Sequence, residues 1–185
     1  MHKIGIIENI AEEGISLLKN NKKFQYEIID DVSKENLIKV LPNYDGITLR
    51  VAKLDSDILK YCKKLKVISR HGVGYDNVDL NFLKKNNIKL LITATANAVS
   101  VAEHVMYMIL CLSKGITQYD SMVRSGQFRD AVKNVSTYEL LEKKILIIGF
   151  GRIGRILIKR CLGFEMNVEV YDPFVNKNDI ENYGG

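Results

Sequence analysis

The stretch Lys144-Ile145-Leu146-Ile147-Ile148-Gly149-Phe150-Gly151-Arg152-Ile153-Gly154 decides how this chain is read. Its apolar run predicts a buried strand, its glycines fall in the order G-x-G-x-x-G, and a helical pattern follows from Ile153 to Leu162. In a strand, turn and helix of this kind each glycine has its own task. Gly149 permits the tight turn, Gly151 lets a pyrophosphate approach the backbone, and Gly154 brings helix and strand close together. Amides at the helix start then face the phosphates, which makes Gly149, Gly151, Arg152, Ile153 and Gly154 the candidate cofactor residues. The next strand, Asn167-Val168-Glu169-Val170-Tyr171, runs into Asp172. An acidic side chain there accepts hydrogen bonds from ribose hydroxyls and repels a 2′-phosphate, so NAD is expected over NADP.

Upstream of this unit, short β-rich runs alternate with helical patterns. Strands are predicted at Lys3–Ile7, Tyr26–Ile29, Gly46–Leu49, Leu65–Ile68 and Ile88–Ile92. Between them lie helices at Ala11–Lys19, from the cap Ser33 to Val40, and from Asp55 or Ser56 to Tyr61. Strands separated by helices imply right-handed crossovers and a parallel sheet covered on both faces. The fold class is therefore α/β: a flavodoxin-like parallel-sheet domain over residues 1–97, then, over 98–185, a connecting helix, an arm and the first βαβ unit of a Rossmann domain. The connecting helix is expected from Ser100, as cap, to about Gly115, with Val101, Val105, Met108, Ile109 and Leu112 at helical spacing. A polar arm without regular pattern is expected from Gln118 to Ser136. With two strands in the second domain, Ile145, Ile147, Val168 and Val170 are expected to lack neighbours.

Composition narrows the function. Of the 185 residues 46% are hydrophobic and 26% charged, enough apolar surface to offset the ordering entropy that keeps other chains disordered. The net charge is +5, but the surplus is spread: 16 basic against 12 acidic residues up to position 97, and 11 against 10 after it. Without a clustered basic face, no nucleic-acid partner is expected. Cys62, Cys111 and Cys161 are odd in number and widely spaced, which suits a reducing cytoplasm rather than a disulfide framework or a metal site. No apolar run approaches the roughly 20 residues of a membrane span.

Two further clusters lie past predicted strand ends, where open α/β sheets bind ligands. In Arg70-His71-Gly72-Val73-Gly74-Tyr75-Asp76-Asn77-Val78-Asp79 the glycines flanking Val73 either expose successive amides to an anion or serve turn geometry alone. Arg50, in Thr48-Leu49-Arg50-Val51-Ala52, either pairs with a carboxylate or phosphate at the same mouth or is solvated. No histidine has an evident acidic partner. His71 is read as a turn residue, and His104 as a packing or capping residue, since neighbours in sequence on a helix do not face each other.

Together these segments resemble the D-isomer-specific 2-hydroxyacid dehydrogenases. The resemblance is carried by Leu65 to Asp79, Asn97-Ala98-Val99-Ser100-Val101-Ala102-Glu103-His104, Ile147 to Arg155, and Tyr171-Asp172-Pro173. It implies a substrate domain joined by a helix to an NAD domain, and oxidation of the CH–OH group of a D-2-hydroxy acid such as D-3-phosphoglycerate. By the same resemblance Val73 and Gly74 hold the substrate carboxylate, Asn97 lines the interdomain cleft, and Arg50 contacts the distal group. Val51 stands where the family usually has a small hydroxyl residue, and Ala94-Thr95 where it has Pro-Gly. A homodimer through residues 98–140 is implied as well. The family's catalytic Arg, Glu and His come later than Asp172, and nothing after Asp172 matches them. The chain is thus expected to be an N-terminal portion with little turnover of its own; the alternative is a non-catalytic module that senses NAD or binds a partner.

Overall fold

A computed structural model of the chain describes residues 1–184, the side chains of residues 130 and 131 excepted. The chain divides into two compact units, Met1–Ala94 and Thr95–Gly185, each with its own core.

The first unit is built on five parallel strands: β1 (His2–Ile7), β2 (Phe24–Ile29), β3 (Gly46–Leu49), β4 (Val67–Arg70) and β5 (Lys89–Ile92). Their order, β2-β1-β3-β4-β5, is the flavodoxin-like arrangement. The intervening helices are α1 (Glu12–Lys19), α2 (Lys34–Val40), α3 (Ser56–Leu59) and α4 (Leu80–Lys85). Three of them start on side-chain caps: Ser33 accepts from Asn36 N, Asp55 from Ile58 N and Asp79 from Phe82 N. Such caps satisfy donors that a helix start otherwise leaves unpaired. Alternation along the strands puts Ile7, Ile47, Leu49 and Ile68 on one face, where they form a single cluster with Leu37, Ile58, Leu59 and Leu83 from α2, α3 and α4. Strand β4 begins two residues later than the apolar run suggested, because Leu65 enters this core from the preceding loop.

The second unit pairs β6 (Lys144–Ile148) with β7 (Asn167–Tyr171) in parallel, joined by α8 (Arg152–Gly163). Ahead of them come α5 (Ala98–Lys114), α6 (Ile116–Arg124) and α7 (Phe128–Ala131), and after them α9 (Lys177–Glu181). Helix α5 packs on α8: Met106 joins Ile158, Cys161 and Phe150 in the core, and Glu103 pairs with Arg160 at 3.0 Å.

Several expectations are corrected here. Helix α5 starts at Ala98 with Asn97 as N-cap, three residues before the expected cap, so Ser100 lies within its first turn instead of capping it. Its buried stripe is Ala98, Ala102 and Met106, whose small residues let α8 approach, whereas Met108 and Leu112 are exposed. The segment 118–136 is largely helical. Gly115, in a left-handed conformation at φ +59°, ends α5 and turns the chain into α6. Short α9, unforeseen, buries Ile180. Ile145, Ile147, Val168 and Val170 are not left open, because α8 covers their face; period-two alternation exposes Leu146 and Ile148 instead, at 59% and 78%. His104 is exposed, its ring 5.6 Å from that of Tyr107. No single described helix is long and apolar enough to cross a membrane; α5 and α6 reach that composition only across a 62° bend.

Ile68 is fully buried on β4, an interior strand of the first sheet. Replacing it with Ala should cost about 2–5 kcal/mol of unfolding free energy, read by urea denaturation of the first-unit signal.

Candidate functional site

In the second unit the turn after β6 is shaped by three backbone constraints. Gly149 has φ +105°, a conformation that side chains rarely adopt, and its amide donates to Tyr171 O at 2.7 Å, tying the turn to the end of β7. Gly154, buried in the first turn of α8, packs on the Gly149 carbonyl so closely that any Cβ would collide with it. Gly151, the N-cap of α8, has open space where a Cβ would sit and carries no side chain to cap the helix start. The turn therefore offers backbone to a ligand that a side chain at 151 would displace, and the positive end of α8 favours an anion there.

Asp172, directly after β7, closes this arrangement. Its Oδ2 accepts from Phe150 N at 2.7 Å and its Oδ1 from Phe174 N at 2.9 Å. These two backbone donors hold its carboxyl below the usual carboxylate range. The structure thus brings Gly149, Gly151, Arg152, Ile153, Gly154 and Asp172 together. Each carboxylate oxygen keeps a second lone-pair site for a hydroxyl donor. Sequence reading missed Arg155, whose Nε donates to Phe150 O at 3.1 Å and whose guanidinium lies 4.5 Å from the Phe150 ring centroid. No motif signals it, because its partner is defined only once the turn is folded.

In the first unit, Arg50 follows β3, and Val73 and Gly74 follow β4, so all three lie at the carboxyl edge of the sheet. Among the described residues the amides of Val73 and Gly74 take no hydrogen-bond partner, and both residues are exposed. The turn before them is fixed by Gly72, at φ +150°, whose carbonyl accepts from Thr93 N at 3.1 Å. Arg50 is exposed and its Nη1 donates to Asn9 O at 3.3 Å. Asn97 is exposed at the start of α5, in the second unit, and its side chain makes no cap bond. Glu8, unflagged by sequence, and Asn77, which the Arg70–Asp79 cluster contains without a role of its own, bond the main chain at and beside Arg50. The available signal for Glu8 was an acidic residue at a strand's carboxyl end.

Neither His71 nor His104 bonds or pairs with a carboxylate among the described residues, and no three His, Cys, Asp or Glu side chains converge to hold a metal ion there.

Comparison with known proteins bears on this geometry. Residues 4–182 match the family model described as "D-isomer specific 2-hydroxyacid dehydrogenase, catalytic domain". The chain is 36% identical over 183 residues to a D-3-phosphoglycerate dehydrogenase of Archaeoglobus fulgidus, a match covering 98% of this chain and 34% of that protein. It is 33% identical over 180 residues to a hydroxypyruvate reductase of Thermotoga maritima, covering 97% of this chain and 58% of the relative. Among solved structures, the NAD-dependent formate dehydrogenase of Staphylococcus aureus in complex with NAD superimposes with a TM-score of 0.83 at 27% identity, over 93% of this chain and 56% of that one. The chain thus spans between about one third and three fifths of the length of these proteins. With nearly its whole length matched by the family model, the chain belongs to the D-isomer specific 2-hydroxyacid dehydrogenase family.

Proposed function

We propose that this chain carries the substrate-anchoring and cofactor-binding elements of an NAD-dependent oxidoreductase acting on the CH–OH group of a D-2-hydroxy acid, with D-3-phosphoglycerate the first candidate. The observation that carries this reading is the turn of Gly149, Gly151 and Gly154 held against Asp172. NAD, when bound, supplies the hydride acceptor. Everything else falls to the chain's own groups. The amides of Gly151, Arg152, Ile153 and Gly154 orient the pyrophosphate at the start of α8. Asp172 accepts from the adenosine ribose hydroxyls, and its charge disfavours a 2′-phosphate. The amides of Val73 and Gly74 receive the substrate carboxylate, and Arg50 the distal anionic group. The uncovered apolar side chains of α5 and α6, among them Tyr107, Leu112 and Val123, support a homodimer through residues 98–140.

Proton transfer at the carbinol needs a group with a pKa near the working pH and within hydrogen-bond reach. The 185-residue polypeptide alone is expected to hold ligands with little or no turnover. Purified chain assayed with NADH and 2-oxo acids should show no more than trace oxidation of NADH. Ordinary enzyme rates would overturn this expectation, while tight NAD binding without turnover would favour a sensing module.

Two glycine variants separate binding from folding. Gly151→Ala, at φ −78° and in open space, should leave the melting temperature in place and weaken NAD binding by about tenfold or more in calorimetry. Gly154→Ala should cost about 1–3 kcal/mol of stability, since its methyl overlaps the Gly149 carbonyl.

The lowered pKa of Asp172 sets an acid limit. A depressed carboxyl contributes hold that is present above its unfolded pKa and is lost as pH falls through the folded value. NAD affinity should therefore be flat in Asp172-dependent terms from neutral pH through the usual carboxylate range and fall only below that range. Asp172→Asn should remove that acid dependence and narrow the preference for NAD over NADP, both read by titration across pH.

A further inference from the structure

Glu8 is the residue after β1 and adopts φ +62°, a left-handed conformation that carries a steric cost for any residue with a Cβ. Gly or Asn would sit there with less strain. What the glutamate adds is visible at its carboxylate. Its Oε2 accepts from the amides of Val51 at 2.8 Å and Ala52 at 3.0 Å, the two residues after Arg50. On the acceptor side of the same segment, Asn77 Nδ2 donates to the carbonyls of Arg50 at 3.2 Å and Ala52 at 2.8 Å. Two backbone bonds continue the tie, Leu54 N to Asn77 O at 2.8 Å and Asp79 N to Leu54 O at 3.2 Å. Arg50 itself reaches the carbonyl of Asn9, the neighbour of Glu8.

The main chain from Arg50 to Ala52 is therefore held at its donors by the loop after β1 and at its acceptors by the loop after β4. Bonds to an ionised carboxylate are the stronger kind. Val51 is 71% exposed, so water can replace the carboxylate at its amide without unfolding the unit. That makes geometry, more than global stability, the quantity that Glu8 controls.

We infer that Glu8 and Asn77 lock the Arg50 segment to the loop carrying Val73 and Gly74, so that one guanidinium and two free amides present a fixed spacing to a substrate bearing a carboxylate at one end and an anionic group at the other. Glu8 is then a positioning residue for substrate length, and this meaning rests on the function proposed above. A residue kept only for its turn would be improved by glycine at φ +62°; a clamp would be broken by it.

The test uses the 185-residue chain with Glu8→Gly and Glu8→Gln. Amide hydrogen exchange reports the clamp, and NMR titrations with D-3-phosphoglycerate and D-lactate report the anchor. In Glu8→Gly, exchange at Val51 and Ala52 should accelerate by about tenfold or more despite the relieved strain, and Glu8→Gln, which keeps an acceptor oxygen, should restore most of the protection. Affinity for D-3-phosphoglycerate should fall by about fivefold or more in Glu8→Gly, with D-lactate, which has no distal group to meet Arg50, changing little. Unchanged exchange in Glu8→Gly overturns the clamp, and equal losses for both acids overturn its role in reading length. A wild-type chain that protects Val51 and Ala52 yet binds neither acid overturns the proposed function and, with it, the positioning role, while the clamp itself stands.

Discussion

All strands within each sheet of this chain run the same way, and the rest of the structure depends on that constraint. Parallel neighbours require crossover connections, and right-handed crossovers return every helix to a face of the sheet. The loops that leave strand carboxyl ends are thereby gathered on one edge of each sheet. Residues 8, 50 and 73 meet at such an edge because they follow β1, β3 and β4, which are adjacent in the order β2-β1-β3-β4-β5. No other feature of the sequence would bring Glu8 and the amides of Val51 and Ala52, more than forty positions apart, into hydrogen-bond contact.

At both edges the loops are shaped by the same device, a carboxylate just past a strand that accepts two backbone amides. Glu8 takes Val51 N and Ala52 N; Asp172 takes Phe150 N and Phe174 N. Loop amides have no ladder partner, and a charged acceptor fixes them in a geometry that water would leave free. The consequences differ with position. Asp172 braces the turn that leads into the start of α8, whereas Glu8 braces the segment that presents a cationic side chain.

Sequence reading recovered the strands of the first unit and the caps Ser33 and Asp55 because their signals are local: period-two apolar runs, and side chains three residues before the amides they accept from; it left α4 and its cap Asp79 unread. Of the apolar residues it placed at helical spacing on α5, Val105 and Ile109 pack against the core while Met108 and Leu112 are exposed, since the apolar residues on that helix exceed what one neighbour can cover. Packing of Ala102 and Met106 on α8 settled the choice, and no pattern within α5 encodes α8. The start of the expected arm was read as irregular for a related reason: Gln118 to Arg124 lies in a helix with no buried residue, so hydrophobic periodicity had little to report.

The two halves of the candidate site differ in legibility for the same physical cause. Gly149, Gly154 and Asp172 lie within one βαβ unit, and every contact that shapes the turn is made inside it: Gly154 on the Gly149 carbonyl, Gly149 N on Tyr171 O, Phe150 N on Asp172. A two-stranded sheet is marginal alone, so this turn owes its shape to α8 docking on one face of β6 and β7 through Ile147, Leu157 and Ile158. Such a unit writes its geometry into a short string, which is why the glycine spacing was readable. The substrate side is written across Glu8, Arg50, Val73 and Asn77, whose spacing along the chain depends on helix lengths that have no bearing on their geometry. There, residue types alone leave Arg50 as one exposed cation among many, and only the folded edge shows which carboxylate and which carboxamide hold it in place.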